Sequence, residues 1–384
     1  MAKVYRRGGR MKIGKNDSLP LYIQLKNIIS HNINNGIWNP GDVLPAETEL
    51  CQKYDISQIT VRRALKDLAK EGCLVRIKGK GTFVAFEKNN KQVKQKRIAL
   101  IVPDIEDLFI AQIYKGIEDV ARQRGYQIAT YSSARSIEGE SSNLNLLMGG
   151  SEIGAILFTY WGQFNAGHIL KLKKNGYPFV LIDRYFPEIE TDTVTVDNIN
   201  GAYSAAKHLV DLGHRRIGFI AGVPCTANLD RAEGYRRALG DAGIPYNPNL
   251  VQHISTVDTA GSIRFEPDDT GGYNAMHAIL KINPRPTAIF ACNDYIALGA
   301  IKAIKEEGLR IPDDISIVGF DDLKFCSTLD VPLTTVRQPK REIGENAAQI
   351  LIDKIERSSS HIQKIVLPTK LIVRESAGAE KTNI

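Results

Sequence analysis

The chain has 384 residues, of which 43% are hydrophobic and 24% are charged, and its formal net charge is +7. This length exceeds one small domain and leaves room for a two-lobed domain with a sizeable core. No apolar run approaches the roughly twenty residues of a membrane span, and the first residues lack the apolar core of a secretion signal. We therefore expect a soluble, cytoplasmic protein that does not enter a membrane.

The sequence offers no signature of catalytic or metal chemistry. Its five cysteines are scattered without a C-x-x-C pair, which favours buried, reduced thiols over metal ligands or a disulfide framework. No G-x-S-x-G elbow, H-E-x-x-H pair or G-K-[ST] phosphate loop occurs. We therefore predict no enzyme activity, no cofactor and no metal site. Four histidines are interpreted as surface or capping residues: His168, His208, His214 and His277.

The first predicted elements form a small module over residues 18–86. In chain order they are a helix over 21–36, a short helix over 44–51, a helix over 57–72, and a hairpin with strands over 74–77 and 82–85. Pro45 favours the first turn of the short helix, and Ser57 is a suitable N-cap for the next one. A helix-turn-helix followed by a hairpin indicates a DNA-binding domain.

The second helix of this pair is predicted to face DNA with its N-terminal end. Its apolar residues turn inward, which leaves polar and basic side chains near its start for base edges: Gln58, Thr60, Arg62 and Arg63. Gly79 and Gly81 supply the turn of the hairpin. Lys78 and Lys80 stand on that turn, where they suit phosphate or the minor groove.

The charge of the chain is unevenly distributed. Residues 1–96 carry 19 Lys and Arg against 8 Asp and Glu, a net of +11, whereas residues 97–384 carry a net of −4. Phosphate neutralisation dominates the affinity of proteins for nucleic acids, so a basic module on a mildly acidic body indicates a DNA-reading head. The alternative is a small structural module whose charged side chains only face solvent. It does not explain why the positive charge is concentrated in residues 1–96.

The module resembles the GntR-family winged helix-turn-helix in four segments: 20–24 (PLYIQ), 40–47 (PGDVLPAE), 56–62 (ISQITVR) and 79–84 (GKGTFV). The resemblance implies that Thr60 and Arg62 contact DNA from the recognition helix. It also implies a wing that enters the groove with Lys78, Gly79 and Lys80. Gln58 stands where many members carry Arg, which implies a different base preference, with Gln58 suited to adenine.

Residues 97–384 show a different pattern, in which short apolar strands alternate with helices. A hydrophilic linker over 87–96 separates this body from the head, and a basic arm over 1–17 is expected to be disordered. One set of strands is predicted over 98–102, 127–131, 153–159 and 179–182, and a second set over 217–221, 288–291 and 316–320. Two successive sets with helices between the strands predict an α/β body of two doubly wound parallel sheets with a ligand cleft between them.

Polar residues follow three of these strands and predict a binding site at one edge of the sheets. Asp183, Asn293 and Asp321 stand at strand exits, and Arg231 is placed near the start of a helix. Carboxylates accept paired hydrogen bonds and an arginine donates them, which suits a polyhydroxylated ligand. Aromatic residues just beyond strands or in loops complete the candidate pocket: Phe109, Tyr160, Trp161 and Phe265.

Other roles stay open for these residues. Asp183 or Asp321 could cap a helix, because aspartate is a favoured N-cap where a strand leads into a helix. The aromatic residues suit the core or the packing of the lobes as well as they suit a ligand. Asp294 and Asp322, the second members of their pairs, favour capping or orienting roles.

The body resembles the LacI/GalR-family effector domain in four segments: 208–220 (HLVDLGHRRIGFI), 231–235 (RAEGY), 293–299 (NDYIALG) and 317–322 (IVGFDD). The resemblance implies a periplasmic-binding-protein-like fold that senses a small metabolite, usually a sugar, and dimerises. It places inducer contacts at Asp183, Arg231, Asn293 and Asp321, with Phe265 stacking on the ligand. A GntR-type head on such a body is similar to the arabinose repressor type, so a pentose is the leading effector.

These features predict a homodimeric repressor that holds double-stranded operator DNA with two heads and leaves it when a sugar binds. Two alternatives remain open at this point. One is a cytoplasmic sugar-binding protein whose head binds DNA only incidentally, and the other is a regulator that uses its ligand as a corepressor.

Overall fold

The computed structural model describes residues 13, 19–34, 36–85, 96–160, 164–257, 263–265, 268–357 and 361–380. It divides into two compact units, residues 1–94 and 95–384, which we call the head and the body. Apart from Ile13 and Lys96, the expected arm over 1–17 and linker over 87–96 lie outside the described residues.

The described part of the head combines helices with a hairpin: α1 (Leu21–Asn34), α2 (Glu47–Tyr54), α3 (Gln58–Lys70), β1 (Leu74–Ile77) and β2 (Gly81–Val84). Helix α3 follows Ser57, whose hydroxyl accepts a hydrogen bond from the backbone N–H of Thr60 over 3.3 Å, as expected of an N-cap. The apolar face of α3 is buried in the core of the head through Val61, Ala64, Leu65 and Leu68.

Helix α2 begins later than the sequence predicted. The prediction puts Pro45 in its first turn, but the helix starts at Glu47, and Pro45 precedes the N-cap residue Ala46. The reason is a capping interaction, because the carboxylate of Glu49 accepts the backbone N–H of Ala46 over 3.2 Å and fixes the helix start there.

The body alternates strands and helices along its described residues. In chain order they are β3 (Lys96–Val102), α4 (Leu108–Gln123), β4 (Tyr126–Ser132), α5 (Ile137–Leu147), β5 (Ala155–Leu157), α6 (Ala166–Lys174), β6 (Phe179–Ile182), β7 (Thr193–Val196), α7 (Asn198–Asp211), β8 (Ile217–Ala221), α8 (Thr226–Asp241), β9 (Val251–His253), β10 (Ser255–Val257), β11 (Ile263–Phe265), α9 (Asp268–Leu280), β12 (Ala288–Ala291), α10 (Asp294–Glu306), β13 (Ser316–Asp321), β14 (Thr334–Arg337), α11 (Lys340–Arg357), β15 (Lys364–Leu367) and β16 (Lys370–Ile372).

Each lobe of the body is built on a six-stranded sheet. The first lobe has the strand order β15-β7-β6-β5-β3-β4 with parallel neighbours throughout. The second has the order β16-β14-β13-β12-β8-β9, in which β16 runs antiparallel to β14. Strands such as Phe179–Ile182 and Ala288–Ala291 are buried along their whole length, because helices cover both faces of a parallel sheet. The predicted α/β architecture is confirmed.

The two lobes are interleaved in the chain and do not follow one another as two successive sets. Three segments of the described chain cross between them: after β7, after β14, and from β15 to β16. Helix α11 and strand β15 return to the first lobe, where α11 packs on α4 and on β5, β6 and β7. The backbone N–H of Asp197 donates to the carbonyl oxygen of Leu367 over 2.9 Å, so two of the crossings run side by side.

Two glycines let helices α4 and α11 pack with their backbones in close contact. A β-carbon on Gly116 would lie 2.1 Å from the carbonyl oxygen of Arg341, and one on Gly344 would lie 2.0 Å from that of Ile113. Neither distance leaves room for a side chain. The returning helix α11 therefore depends on glycine at both positions to reach the first lobe.

We expect Gly344→Ala to lower the free energy of unfolding by about 1 to 3 kcal/mol, because the added methyl group forces the two helices apart. Gly240→Ala is the matched control, since a β-carbon at this exposed helical position meets nothing within 4 Å. Alanine there favours the helix by up to about 1 kcal/mol. Urea unfolding followed by circular dichroism measures both variants, and wild-type stability of Gly344→Ala would contradict this packing.

Candidate functional site

A cavity lies between the two lobes of the body, where strands of both sheets end. The space between the lobes is about 700 Å³ when its opening to solvent is counted. Its lining includes six residues proposed from the sequence: Phe109, Tyr160, Asp183, Arg231, Asn293 and Asp321.

On the first lobe, Asp183 and Arg184 follow strand β6 and form an ion pair. Asp183 has a φ of 63°, and its backbone N–H donates to the carbonyl oxygen of Val194 over 3.0 Å. Nε of Arg184 donates to the Asp183 carboxylate over 3.2 Å, and Nη1 of Arg184 donates to the carbonyl oxygen of Tyr160. Asp183 therefore belongs to the wall of the cavity and does not cap a helix.

On the second lobe, the buried guanidinium of Arg231 is the centre of the polar network. Its Nε donates to Oδ1 of Asn198 over 2.8 Å, and its Nη1 donates to the carbonyl oxygen of Cys292 over 2.7 Å. Nη1 also lies 3.7 Å from the Asp321 carboxylate, and the guanidinium lies 3.9 Å from the centre of the Phe320 ring. These partners matter because an unpaired charge in the protein interior is strongly destabilising.

Helix α8, which carries Arg231, is longer than the sequence predicted. The prediction puts Arg231 near the helix start, but the helix begins at Thr226 and Arg231 lies in its second turn. The N-cap residue is Cys225, which makes no capping hydrogen bond through its side chain. The usual sequence signal of a helix start is therefore missing at this position.

Asn293 and Asp321 are fixed by neighbours that the sequence analysis did not name. Oδ1 of Asn293 accepts the backbone N–H of Ile296 over 2.8 Å and so caps α10, while its amide donates to Asp268 over 2.6 Å. Asp321 is the last residue of β13, with a φ of 120°, and caps no helix. Its Oδ1 accepts a hydrogen bond from Nε2 of Gln338 over 2.6 Å.

Further charged groups are buried next to Asp321. The carboxylate of Asp294 accepts hydrogen bonds from the backbone N–H of Leu323 over 2.8 Å and from the hydroxyl of Thr335 over 2.6 Å. Nζ of Lys340 donates to the carbonyl oxygen of Asp321. Burial raises the pKa of Asp294 to about 6 and that of Asp321 well above its ordinary value, and burial lowers the pKa of Lys340. Asp294 thus orients the segment after β13, which is one of the two roles expected for it.

The aromatic candidates have different outcomes. Phe109 and Tyr160 line the cavity, and Phe109 packs edge-on against Phe158 with ring centres 6.1 Å apart. Phe265 ends strand β11, but its side chain is outside the described part of the structure, and Trp161 lies outside the described residues altogether. Contact of these aromatic residues with a ligand stays a prediction.

The cavity also has polar lining residues that the sequence analysis missed: Asp107, Arg135, Arg184, Asn228, Asp268 and Tyr295. Asp107 caps α4 by accepting the backbone N–H of Phe109 over 2.8 Å. Arg135 has a φ of 55°, and its Nε donates to Asp104 over 3.2 Å. Asp107 and Arg135 follow β3 and β4, so the same strand-exit argument, applied to every strand of the first lobe, would have found both.

On the head, the residues expected to face DNA differ in their surroundings. Nε of Arg62 donates to the Glu47 carboxylate over 2.8 Å, and 59% of the Arg62 side chain is exposed. Arg63 instead lies over the ring of Tyr22, with its guanidinium 3.9 Å from the ring centre, which holds it against α1. Thr60 is half-buried, and the other candidates are exposed: Gln58, Lys78, Gly79 and Lys80.

His214 is buried, so its interpretation as a surface or capping residue is wrong. One ring nitrogen lies 2.9 Å from the hydroxyl of Thr287. The other lies 3.1 Å from the hydroxyl of Ser316 and 3.0 Å from the carbonyl oxygen of Gly378. The histidine thereby ties the C-terminal segment to the sheet of the second lobe.

The described residues contain no group of three or more His, Cys, Asp or Glu that could hold a metal ion. Within the same residues, no helix is both long and apolar enough to cross a membrane. Of the five free cysteines, Cys51 and Cys73 are half-buried and not buried as expected.

Both parts of the chain match known families. Residues 21–84 match the gntR family of bacterial regulatory proteins, and residues 206–377 match a periplasmic binding protein-like domain. The arabinose metabolism transcriptional repressor of Geobacillus stearothermophilus is 34% identical over 368 residues, which cover 94% of this chain and 99% of that protein. The chain is a GntR-family regulator with a periplasmic-binding-protein-like body.

Solved structures of transcription regulators are similar to this GntR-family regulator. The regulator CelR in complex with cellobiose has a TM-score of 0.66 and 28% identity, covering 86% of this chain and 94% of that one. A LacI family regulator from Enterococcus faecium with bound ribose has a TM-score of 0.63 and 29% identity, covering 74% and 100%. The similar proteins are transcription regulators, so the predictions of a DNA-binding protein and of no enzyme activity are confirmed.

We expect the burial of Asp294 to make stability depend on pH. Because the pKa of this carboxyl is about 6 in the folded state, the native protein binds the proton more tightly than the unfolded chain does. Stability relative to Asp294→Asn, which cannot ionise at this position, should therefore fall as the pH rises through about 6. Urea unfolding below and above this pH measures the difference, and parallel pH curves for the two proteins would contradict it.

Proposed function

We propose that this regulator represses genes for the use of an uncharged sugar, with a pentose such as arabinose favoured, and that the sugar releases it from its operator. The observation that carries the proposal is the cavity between the lobes, which is lined by both carboxylates and guanidinium groups. A sugar hydroxyl both donates and accepts hydrogen bonds, so it can pair with both kinds of group. The arabinose metabolism repressor and the ribose-bound regulator agree with this class of ligand.

The charges of the cavity favour an uncharged ligand. Each arginine of the described lining already lies beside a carboxylate, in the pairs Arg135–Asp104, Arg184–Asp183 and Arg231–Asp321. Asp107 and Asp268 add further carboxylates to the lining. The phosphate of a phosphorylated sugar would therefore be repelled by these carboxylates. In the described lining, it would find no guanidinium that is not already beside a carboxylate.

The proposed ligand contacts come from both lobes. Asp183, Arg231, Asn293 and Asp321 hold the sugar hydroxyls, and aromatic residues cover the apolar faces of the sugar ring. The aromatic residues proposed for this role are Phe109, Tyr160, Trp161 and Phe265.

The head is proposed to read the operator through α3 and the hairpin turn. Arg62 is the favoured base contact, because an arginine can bond a guanine with two donors. Arg63 is the weakest candidate, since its guanidinium packs on Tyr22. The remaining proposed contacts are Gln58, Thr60, Lys78, Gly79 and Lys80.

Sugar binding is proposed to act on DNA binding through closure of the lobes. Among the described residues, hydrogen bonds that cross the cleft run from the N–H of Leu108 to the hydroxyl of Tyr295 over 3.3 Å and from the N–H of Tyr185 to the hydroxyl of Thr226 over 3.2 Å. A ligand that binds one arrangement of the lobes better shifts the population towards it. In the proposed homodimer, this shift changes how two heads meet the two half-sites of the operator.

Asp321→Asn tests the effector site. The DNA probe is the duplex that the wild-type protein selects from a random-sequence library, and the sugars are arabinose and ribose. Asparagine replaces one acceptor oxygen of Asp321 by an amide donor, and a buried sugar hydroxyl left unpaired costs about 1 to 3 kcal/mol. The variant should therefore bind the duplex normally and need about 5- to 150-fold more sugar for release. Fluorescence anisotropy of the labelled duplex measures both quantities.

Asp322→Asn is the matched control for this experiment. Asp322 accepts hydrogen bonds from Arg337 and Arg374, each over 2.6 Å, and lies outside the described cavity lining. It should lose stability but keep the wild-type response to sugar. A wild-type sugar response of Asp321→Asn would remove that residue from the site, whereas tighter DNA binding with sugar would make the ligand a corepressor. Failure of the wild type to select any duplex would instead favour a sugar-binding protein with incidental DNA binding.

A further inference from the structure

One carboxylate, that of Glu47, joins three elements of the head. Glu47 is the first residue of α2, and its Oε2 accepts a hydrogen bond from Nε of Arg62 on α3 over 2.8 Å. Its Oε1 accepts one from Nη2 of Arg76 on β1, also over 2.8 Å. Nε2 of Gln58 lies 3.5 Å from Oε2 on the same side. The first helix of the pair is thereby tied to both the recognition helix and the wing.

The two arginines reach outward from this shared anchor. The Glu47 side chain is only 15% exposed, whereas the side chains of Arg62 and Arg76 are 59% and 69% exposed. The hydrogen bond from Arg62 and the charge of Arg76 lower the pKa of Glu47, so its carboxylate is ionised at neutral pH. The largely covered carboxylate of Glu47 therefore holds two exposed guanidinium groups in place.

Other basic side chains near α3 are held in different ways. Arg63 packs on the ring of Tyr22, and Lys26 pairs with Glu71 over 2.5 Å at the opposite end of the helix. The carboxylate of Glu47 serves Arg62 and Arg76 together, and each keeps further N–H donors that the bond to Glu47 does not use.

We propose that Glu47 is a positioning residue for DNA recognition and that Arg76 contacts DNA beside Arg62. This inference rests on the proposed DNA-reading function of the head. Holding the arginines in place before DNA arrives reduces the conformational entropy lost on binding. The carboxylate also repels phosphates that approach without the correct base contacts, so Glu47 favours the matched sequence over any other duplex.

Glu47→Gln tests this proposal in the full-length protein. The probes are the duplex that the wild type selects from a random-sequence library and a scrambled duplex of the same composition. Discrimination between them should fall about fivefold or more, because one well-formed arginine contact to a base supplies at least that factor. Binding to the scrambled duplex should become tighter. The slope of its logarithmic affinity against the logarithm of the salt concentration should steepen by about one, because about one more counterion is released.

Glu71→Gln is the matched control, because it removes the same charge and a surface ion pair from the head but leaves Arg62 and Arg76 in place. It should keep the wild-type discrimination. If Glu47 has a purely structural role, Glu47→Gln should melt at a lower temperature but discriminate between the two duplexes as the wild type does. That result would overturn the proposal.

Arg76→Gln keeps the test decisive if Glu47→Gln does not fold. This variant leaves the Glu47–Arg62 pair intact and should weaken binding to the selected duplex about threefold or more, with a salt slope shallower by about one. If Arg76→Gln binds the selected duplex with the affinity and salt slope of the wild type, Arg76 does not contact DNA. If the wild type itself fails to distinguish the two duplexes, the DNA-reading function falls together with this inference.

Discussion

The buried cation of Arg231 holds the second lobe together at the point where ligand is proposed to bind. Its guanidinium bonds to Asn198 at the start of α7, to the carbonyl of Cys292 after β12, and lies beside Asp321 at the end of β13. Burying the guanidinium away from water is unfavourable unless these partners stay in place. The ends of β12 and β13 and the start of α7 are therefore fixed relative to one another. The polar wall of the cavity follows from that requirement.

The same network reaches the segments that join the lobes. Asp321 is bonded to Gln338 and Lys340, which stand where the chain leaves β14 and crosses back to the first lobe. A ligand that bonds to Asp321 therefore acts on a residue already linked to a crossing segment. This arrangement gives a physical route by which a small molecule between the lobes shifts their relative position, as coupling between two sites requires.

The residues that follow the strands are the part of the cavity lining that the sequence could predict. Asp183, Asn293 and Asp321 were found because each follows a short apolar run, and the carboxyl ends of parallel strands share one edge of the sheet. The sequence did not indicate Asp268 and Asn198, because their roles depend on which residues face Asn293 and Arg231 across the fold. A local sequence pattern carries no information about such long-range contacts. The return of α11 to the first lobe was missed for a similar reason, since it rests on the close approach of Gly344 to the backbone of α4. In the head, the apolar period of the sequence predicts the helices, but the hydrogen bonds that Arg62 and Arg76 donate to Glu47 join residues distant in the chain.

Coupling between the cavity and the head can be measured as the difference between the sugar affinities of the wild-type regulator with and without DNA. If sugar weakens operator binding, linkage requires the operator to weaken sugar binding by the same factor. Calorimetric titration of arabinose into the free regulator and into its complex with the selected duplex measures that factor. We expect the sugar to bind the complex more weakly, by about 5- to 150-fold, the usual range of coupling between sites. Equal affinity in the two titrations would contradict it.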